Sequence, residues 1–144
     1  MKRSILAGLA IILAVGTVAA ADDPIKARRA LMKANGEGTK VVVPIMKGAA
    51  PFKLEDVQAA LKSYIEAADK APALFPAGSD KGETNALPAI WANKSDFEAR
   101  FVKLGAESKA ALAAITDEAS FKTNFPPVLK NCGGCHETYR AKMQ

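Results

Sequence analysis

Two cysteines and one histidine are all that this 144-residue chain contains of either type, and they stand together as Cys132–Gly133–Gly134–Cys135–His136. The chemistry this spacing offers is specific. Two thiols three residues apart can add across the two vinyl groups of one porphyrin, and the next side chain then places an imidazole over the iron. C-x-x-C-H is the attachment signature of a c-type haem. Gly133 and Gly134 carry no side chains that would crowd the macrocycle edge. Scattered at random, two cysteines and one histidine would form this pentad only about once in ten thousand arrangements.

Three other chemistries compete for these residues. A structural zinc site needs four ligands, usually two such pairs, and no further Cys or His exists to complete one. A thioredoxin-like redox pair expects a βαβ context, which nothing upstream suggests. A plain disulfide suits an oxidising compartment but leaves the adjacent His136 a coincidence.

The elements that must position this pentad read as helices. Hydrophobic content of 49% with only 6% aromatic residues suits closely packed helices. Asp22–Asp23–Pro24 marks a helix start, and the first helix is expected from Ile25 toward Lys47, with Pro44 kinking it or ending its regular part near Lys40. Val41–Val42–Val43 could pass for a strand but has no partner strand elsewhere. Gly48 to Pro51 is a turn, and a second helix follows to about Lys70, with Leu54, Val57, Leu61, Tyr64 and Ala68 as its apolar stripe. Residues 71–87, rich in Pro and Gly, read as a long loop leading to Trp91. A third helix is expected from Pro88 to Ile115, burying Ile90, Phe97, Phe101, Leu104, Ala111 and Ile115. Asp117 caps the fourth, whose stripe is Phe121, Phe125, Val128, Cys132, Cys135 and Tyr139; Pro126–Pro127 predicts a kink or a restart. Four amphipathic helices without a strand signal give an all-α, up-down-up-down four-helix bundle with one covalently bound haem.

Residues 1–21 stand apart. Lys2 and Arg3 precede an apolar run from Ile5 to Val18 and then Ala19–Ala20–Ala21, the pattern of a secretory signal peptide cleaved near residue 20 or 21. An uncleaved membrane anchor is the competing reading, but the run is shorter than the roughly 20 residues a spanning helix needs. Residues 22–144 then form one domain, periplasmic and free of the membrane once the leader is removed. Loss of Lys2 and Arg3 takes the 20 basic residues to 18 against 15 acidic, a formal +3, which two haem propionates largely offset. No basic run with interleaved aromatics appears, so nucleic acid is not an expected partner.

What covers the iron face opposite His136 decides the function. Met32, Met46 and Met143 are the methionines beyond the leader. Met143 is seven residues past His136 on the same helix, about 10 Å along its axis, and cannot reach around the macrocycle. In an up-down-up-down bundle the first and fourth helices are antiparallel neighbours. Met32, seven residues in from Ile25, then sits at the height of His136, whereas Met46 is displaced by about 20 Å. Met32 either ligates the iron or packs on the haem as a flexible apolar filler. Arg28, one turn before Met32, and Arg140, one turn after His136, share faces with these two residues and could each pair with a propionate. Trp91 and Phe101 are taken as further haem contacts.

The chain resembles class II c-type cytochromes, the cytochrome c′ and cytochrome c-556 group, over nearly its whole length past the leader. The resemblance rests on Cys132-x-x-Cys135–His136 followed by Tyr139–Arg140, on Pro88-x-Ile90–Trp91 followed by Phe97, and on Arg28-x-x-x-Met32. It implies one haem c and a periplasmic protein. Leu31–Met32–Lys33-x-Asn35–Gly36 looks most like the low-spin c-556 branch, in which this methionine is the sixth ligand. Members of the group occur as monomers and as homodimers through their first two helices. Two functions follow. One is a one-electron carrier with His136 and Met32 on the iron, exchanging electrons with a redox partner protein of unknown identity. The alternative is a five-coordinate, cytochrome c′-like protein that binds nitric oxide or carbon monoxide. A weaker third is a helical bundle holding only a disulfide. Enzymatic acid–base or nucleophilic catalysis is not expected, because the single histidine is committed to the iron.

Overall fold

The computed structural model describes residues 23–142; the leader and Met143 lie outside the described residues. Helix α1 spans Pro24–Met46. The Asp23 carboxylate caps it, accepting from the backbone N–H of Ile25 at 3.0 Å and of Lys26 at 3.3 Å. Pro24 sits where a missing N–H costs nothing. Pro44 was expected to kink or end this helix, yet α1 continues through it to Met46. The carbonyl that Pro44 leaves unpaired belongs to exposed Lys40, where water can take the bond. The helix ends in a Schellman turn: Gly48, at φ 70°, donates to the Ile45 carbonyl at 3.0 Å and Ala49 to that of Pro44 at 2.9 Å. The β-branched run Val41–Val43 is helical, and among the described residues there is no strand beyond one isolated antiparallel bridge, Ala86 to Arg140.

Helix α2, Leu54–Lys70, buries Val57, Leu61, Tyr64 and Ala68 as its stripe predicts. A short 3-10 turn, Ala71–Leu74, leads into the connection that crosses to α3, Ala89–Ala92, and α4, Lys94–Ala114. The third helix therefore differs from the continuous Pro88–Ile115 segment expected. Asn93 leaves the helical region, at φ −126° and ψ 48°, and breaks the segment in two. Asparagine competes for backbone bonds more readily than most residues, and here its side chain reaches back to the Ala89 carbonyl at 3.4 Å. Helix α5, Glu118–Tyr139, opens with a capping box between Asp117 and Ser120. It runs unbroken through Pro126 and Pro127, against the expected kink or restart. Both prolines are exposed, and the carbonyls they orphan, on Lys122 and Thr123, also lie on exposed residues.

The four long helices form an up-down-up-down bundle in which α1 packs on α2, α2 on α4, and α4 on α5. Two of these contacts are close because a glycine faces an alanine. A Cβ on Gly38 would stand 3.1 Å from Ala60, and one on Gly105 would stand 3.1 Å from Ala68. The core is filled by Tyr64, Phe121, Phe125, Leu61, Ile90 and Val42. The remaining side of the bundle, between α1 and the end of α5, holds a cavity.

Candidate haem site

This cavity has a volume of about 650 Å³ and is bounded by three long helices and the 75–86 loop. α1 contributes Met32, α4 contributes Phe97 and Phe101, and the last turns of α5 contribute Cys135 and His136. Its size lies within the roughly 300–1,000 Å³ of typical cofactor pockets. Phe97 is the hub of its aromatic wall, with ring centroids 4.7 Å from Phe75, 5.2 Å from Phe101 and 5.3 Å from Tyr139.

The residues singled out from the sequence fall into three groups. Met32, Phe101, Cys135, His136, Arg28 and Arg140 all border the cavity. Cys132 lies one helical turn earlier, half-buried and outside that lining. Trp91 is also outside it, and its indole N–H donates to the Pro76 carbonyl at 2.9 Å. Trp91 therefore braces the loop behind Phe75 rather than facing the cavity.

Arg28 borders the cavity in an unexpected role. It is only 3% exposed, and all four terminal N–H groups are committed. Nη1 donates to the Leu74 carbonyl at 3.0 Å and to Ser79 Oγ at 2.9 Å. Nη2 donates to the Ser79 carbonyl at 2.7 Å and to Thr84 Oγ1 at 2.8 Å. The guanidinium also lies 4.4 Å from the Phe75 ring centroid. Only its Nε–H is left for a propionate. Burial pushes its pKa down, opposed by the charge of Asp23, but an arginine stays protonated throughout the accessible range. The loop it holds is also stitched to the end of α5: Leu87 donates to the Tyr139 carbonyl at 3.0 Å and Ala141 to the Asn85 carbonyl at 2.8 Å.

On the α5 side, burial pulls the His136 imidazole below its ordinary value, and the charge of Arg140 adds to this. The ring is therefore neutral near pH 7, with a lone pair to give. No disulfide joins Cys132 to Cys135. Burial raises the pKa of each, and for Cys135 the Arg100 charge opposes the rise. Arg100 was not singled out from the sequence. Its Nη1 donates to the Gly134 carbonyl at 2.7 Å and its Nε to Asp96 Oδ2 at 2.8 Å, while Tyr139 Oη donates to the same Asp96 oxygen at 2.5 Å. Only the i, i+4 spacing of Asp96 and Arg100 hinted at this pair. Nothing in the sequence placed Phe75 or Thr84 at the cavity.

This donor set suits a haem better than a bare ion. Among the described residues no three His, Cys, Asp or Glu side chains converge as a metal ion would require. Cys132, Cys135 and His136 are instead displayed along one helix, as a flat cofactor gripped at its edge and its centre needs. A neutral imidazole, a thioether and an aromatic wall meet in the adjoining cavity.

Comparison with known proteins agrees with this reading. A family model described as Cytochrome C' matches residues 23–140. Over 143 residues the chain is 43% identical to a cytochrome c′ of Rhodopseudomonas palustris, covering 99% of this chain and 97% of the relative. It is 39% identical over 131 residues to a cytochrome c-556 of Agrobacterium fabrum, covering 90% and 88%. The solved structure of cytochrome c′ from Rhodopseudomonas palustris superposes with a TM-score of 0.82 at 44% identity, covering 85% of this chain and 99% of that one. With the bundle, the attachment pentad and the cavity beside it in agreement, the chain belongs to the cytochrome c′ family of class II c-type cytochromes, which carry one covalently attached haem c.

Proposed function

We propose that this cytochrome is a periplasmic one-electron carrier, in which Cys132 and Cys135 would hold the haem and His136 and Met32 would ligate its iron. The observation that carries the reading is that Met32 of α1 and His136 of α5 line one cavity. Bound there, the haem supplies the one-electron couple. The protein's part would be to hold His136 and Met32 without rearrangement. His136 would offer the iron its imidazole nitrogen. Met32 brings a soft, uncharged sulfur that favours the ferrous state. Ile90, Phe97 and Phe101 give the cavity an apolar wall, which also favours the less charged state. Met46, half-buried against the core, is not on the cavity. The exposed Arg29, Lys33 and Arg140 stand at the cavity rim, where Arg140 can pair with a propionate. A redox partner protein would supply or accept the electron. Export to the periplasm is supported by the leader pattern of residues 1–21. No described helix is long and apolar enough to cross a membrane.

A second reading is favoured by the 43% identity to a protein named cytochrome c′. In it Met32 only packs against the haem, and the open distal face binds nitric oxide or carbon monoxide. The oxidised absorption spectrum separates the two, low-spin for the carrier and high-spin for the gas binder. Met32→Leu conserves volume and should leave the fold intact. It should turn the iron high-spin and open to carbon monoxide, whereas Met46→Leu should change nothing. A high-spin wild type, or a Met32→Leu variant that stays low-spin, overturns the carrier reading.

A further inference from the structure

We propose that Arg100, together with Asp96 and Tyr139, is a positioning device for the proximal ligand: it clamps the last turns of α5 on either side of His136. The inference rests on the proposed ligation by His136 and is independent of what lies opposite it.

The need for a clamp follows from the attachment pentad itself. Two successive glycines inside a helix weaken it more than any residue but proline. At Gly133 and Gly134 the protein packs nothing against the missing side chains: a Cβ on either would meet no atom within 4 Å. The helix is thus softest where the cofactor is gripped. Within the polypeptide, α4 reinforces this stretch at two points. Arg100 Nη1 donates to the Gly134 carbonyl at 2.7 Å, on the N-terminal side of Cys135 and His136. Tyr139, on their C-terminal side, donates its hydroxyl to Asp96. Asp96 also accepts from Arg100 Nε at 2.8 Å, so both anchor points meet in one pair of side chains one turn apart on α4.

The guanidinium also lies 5.1 Å from the Tyr139 ring centroid, and that ring packs on Phe97 in the cavity wall. The alternative is an ordinary surface ion pair. The Arg100 and Asp96 side chains are 34% and 55% exposed, and such pairs alone contribute little. What sets this one apart is the backbone carbonyl inside the pentad and the phenol beyond it. Arg100 also balances the Asp96 carboxylate beside α5, so its removal leaves a lone negative charge there, which favours the ferric state.

The test uses the haem-loaded protein and two readouts that stability alone does not move: the midpoint potential and the paramagnetically shifted imidazole resonances of ferric His136. Arg100→Leu should lower the potential and displace the resonances. Arg100→Lys keeps the charge without the fork, so the potential should hold while the resonances move. Tyr139→Phe keeps the ring packing, loses the bond to Asp96, and should also displace the resonances. Glu107→Gln disturbs a different α4–α5 contact, the 2.6 Å bond from Asn131, and should move neither readout. If Arg100→Leu fails to fold, Tyr139→Phe decides alone. Unmoved resonances in Arg100→Leu and Tyr139→Phe, or an equal response in Glu107→Gln, overturn the proposal. The absorption spectra of the same samples report the Met32 side separately.

Discussion

Replacing Arg28 by methionine removes all four of its side-chain hydrogen bonds while keeping most of the stem that packs on Phe75. Hydrogen bonds to a charged group contribute about 1.5–3 kcal/mol each. A plain sum overstates the loss, because two of the four partners keep other bonds. Ser79 Oγ still donates to the Pro76 carbonyl at 2.9 Å, and Thr84 Oγ1 still accepts from the Ala86 N–H at 3.1 Å. The variant is also spared the cost of burying a guanidinium that is 3% exposed. The carbonyls of Leu74 and Ser79 lose a charged donor each, at 3.0 and 2.7 Å in the native protein. A net loss of about 3–5 kcal/mol follows, within the roughly 2–6 kcal/mol that two carbonyls stripped of their donors lose at about 1–3 kcal/mol each. For a domain of this size, that lowers the melting temperature by about 12–20 °C. Far-UV circular dichroism on the haem-loaded protein measures it, and amide exchange at Ser79 and Thr84 locates the loosened loop. Arg28→Lys, whose ammonium cannot reproduce the planar fork, should fall between wild type and Arg28→Met. A drop below about 4 °C in Arg28→Met, with amide exchange in the loop unchanged, would refute the clamp.

Gly105→Val forces a branched side chain into the contact with Ala68, where even a Cβ would stand at 3.1 Å, and should cost about 2 kcal/mol by overpacking. An unchanged urea midpoint would show that α2 and α4 can separate without loss. Acid should weaken the fold through Asp96 and Asp117, both held below the ordinary carboxylate value of 3.8, the first mainly by the Tyr139 hydroxyl and the second by the Ser120 backbone N–H. Because their folded values are depressed, their contribution is complete above that value and is lost as pH falls through the folded ones. A double variant, Asp96→Asn with Asp117→Asn, should flatten the acid limb of the stability curve, and an unaltered limb would contradict the assignment.

Much of this protein was legible before any coordinates. The attachment pentad is local: three reactive residues on one short stretch carry their chemistry wherever the chain places them. The helix stripes are nearly as local, since a 3.6-residue period dictates which side chains share a face. Val57, Leu61, Tyr64, Phe97, Phe101, Phe121 and Phe125 are buried as that period requires. Height matching on antiparallel helices brought Met32 to the cavity of His136 for the same reason, because axial rise per residue is constant.

The sequence was a poorer guide where an outcome depended on which way a backbone group faces. Pro44, Pro126 and Pro127 predicted broken helices, but each orphaned carbonyl belongs to an exposed residue, so the helices persist. That orientation is set by packing. Asn93 is the reverse case, a break that no proline announced. Apart from the local pair of Arg100 with Asp96, what Arg28 and Arg100 hold was decided by tertiary structure. Their partners, Leu74, Ser79 and Thr84 for the first and Gly134 for the second, are far away in sequence and include backbone carbonyls, which leave no trace in residue identity. The chain states which groups can do chemistry; only the packing of α1, α4 and α5 determines which of them a distant carbonyl holds still.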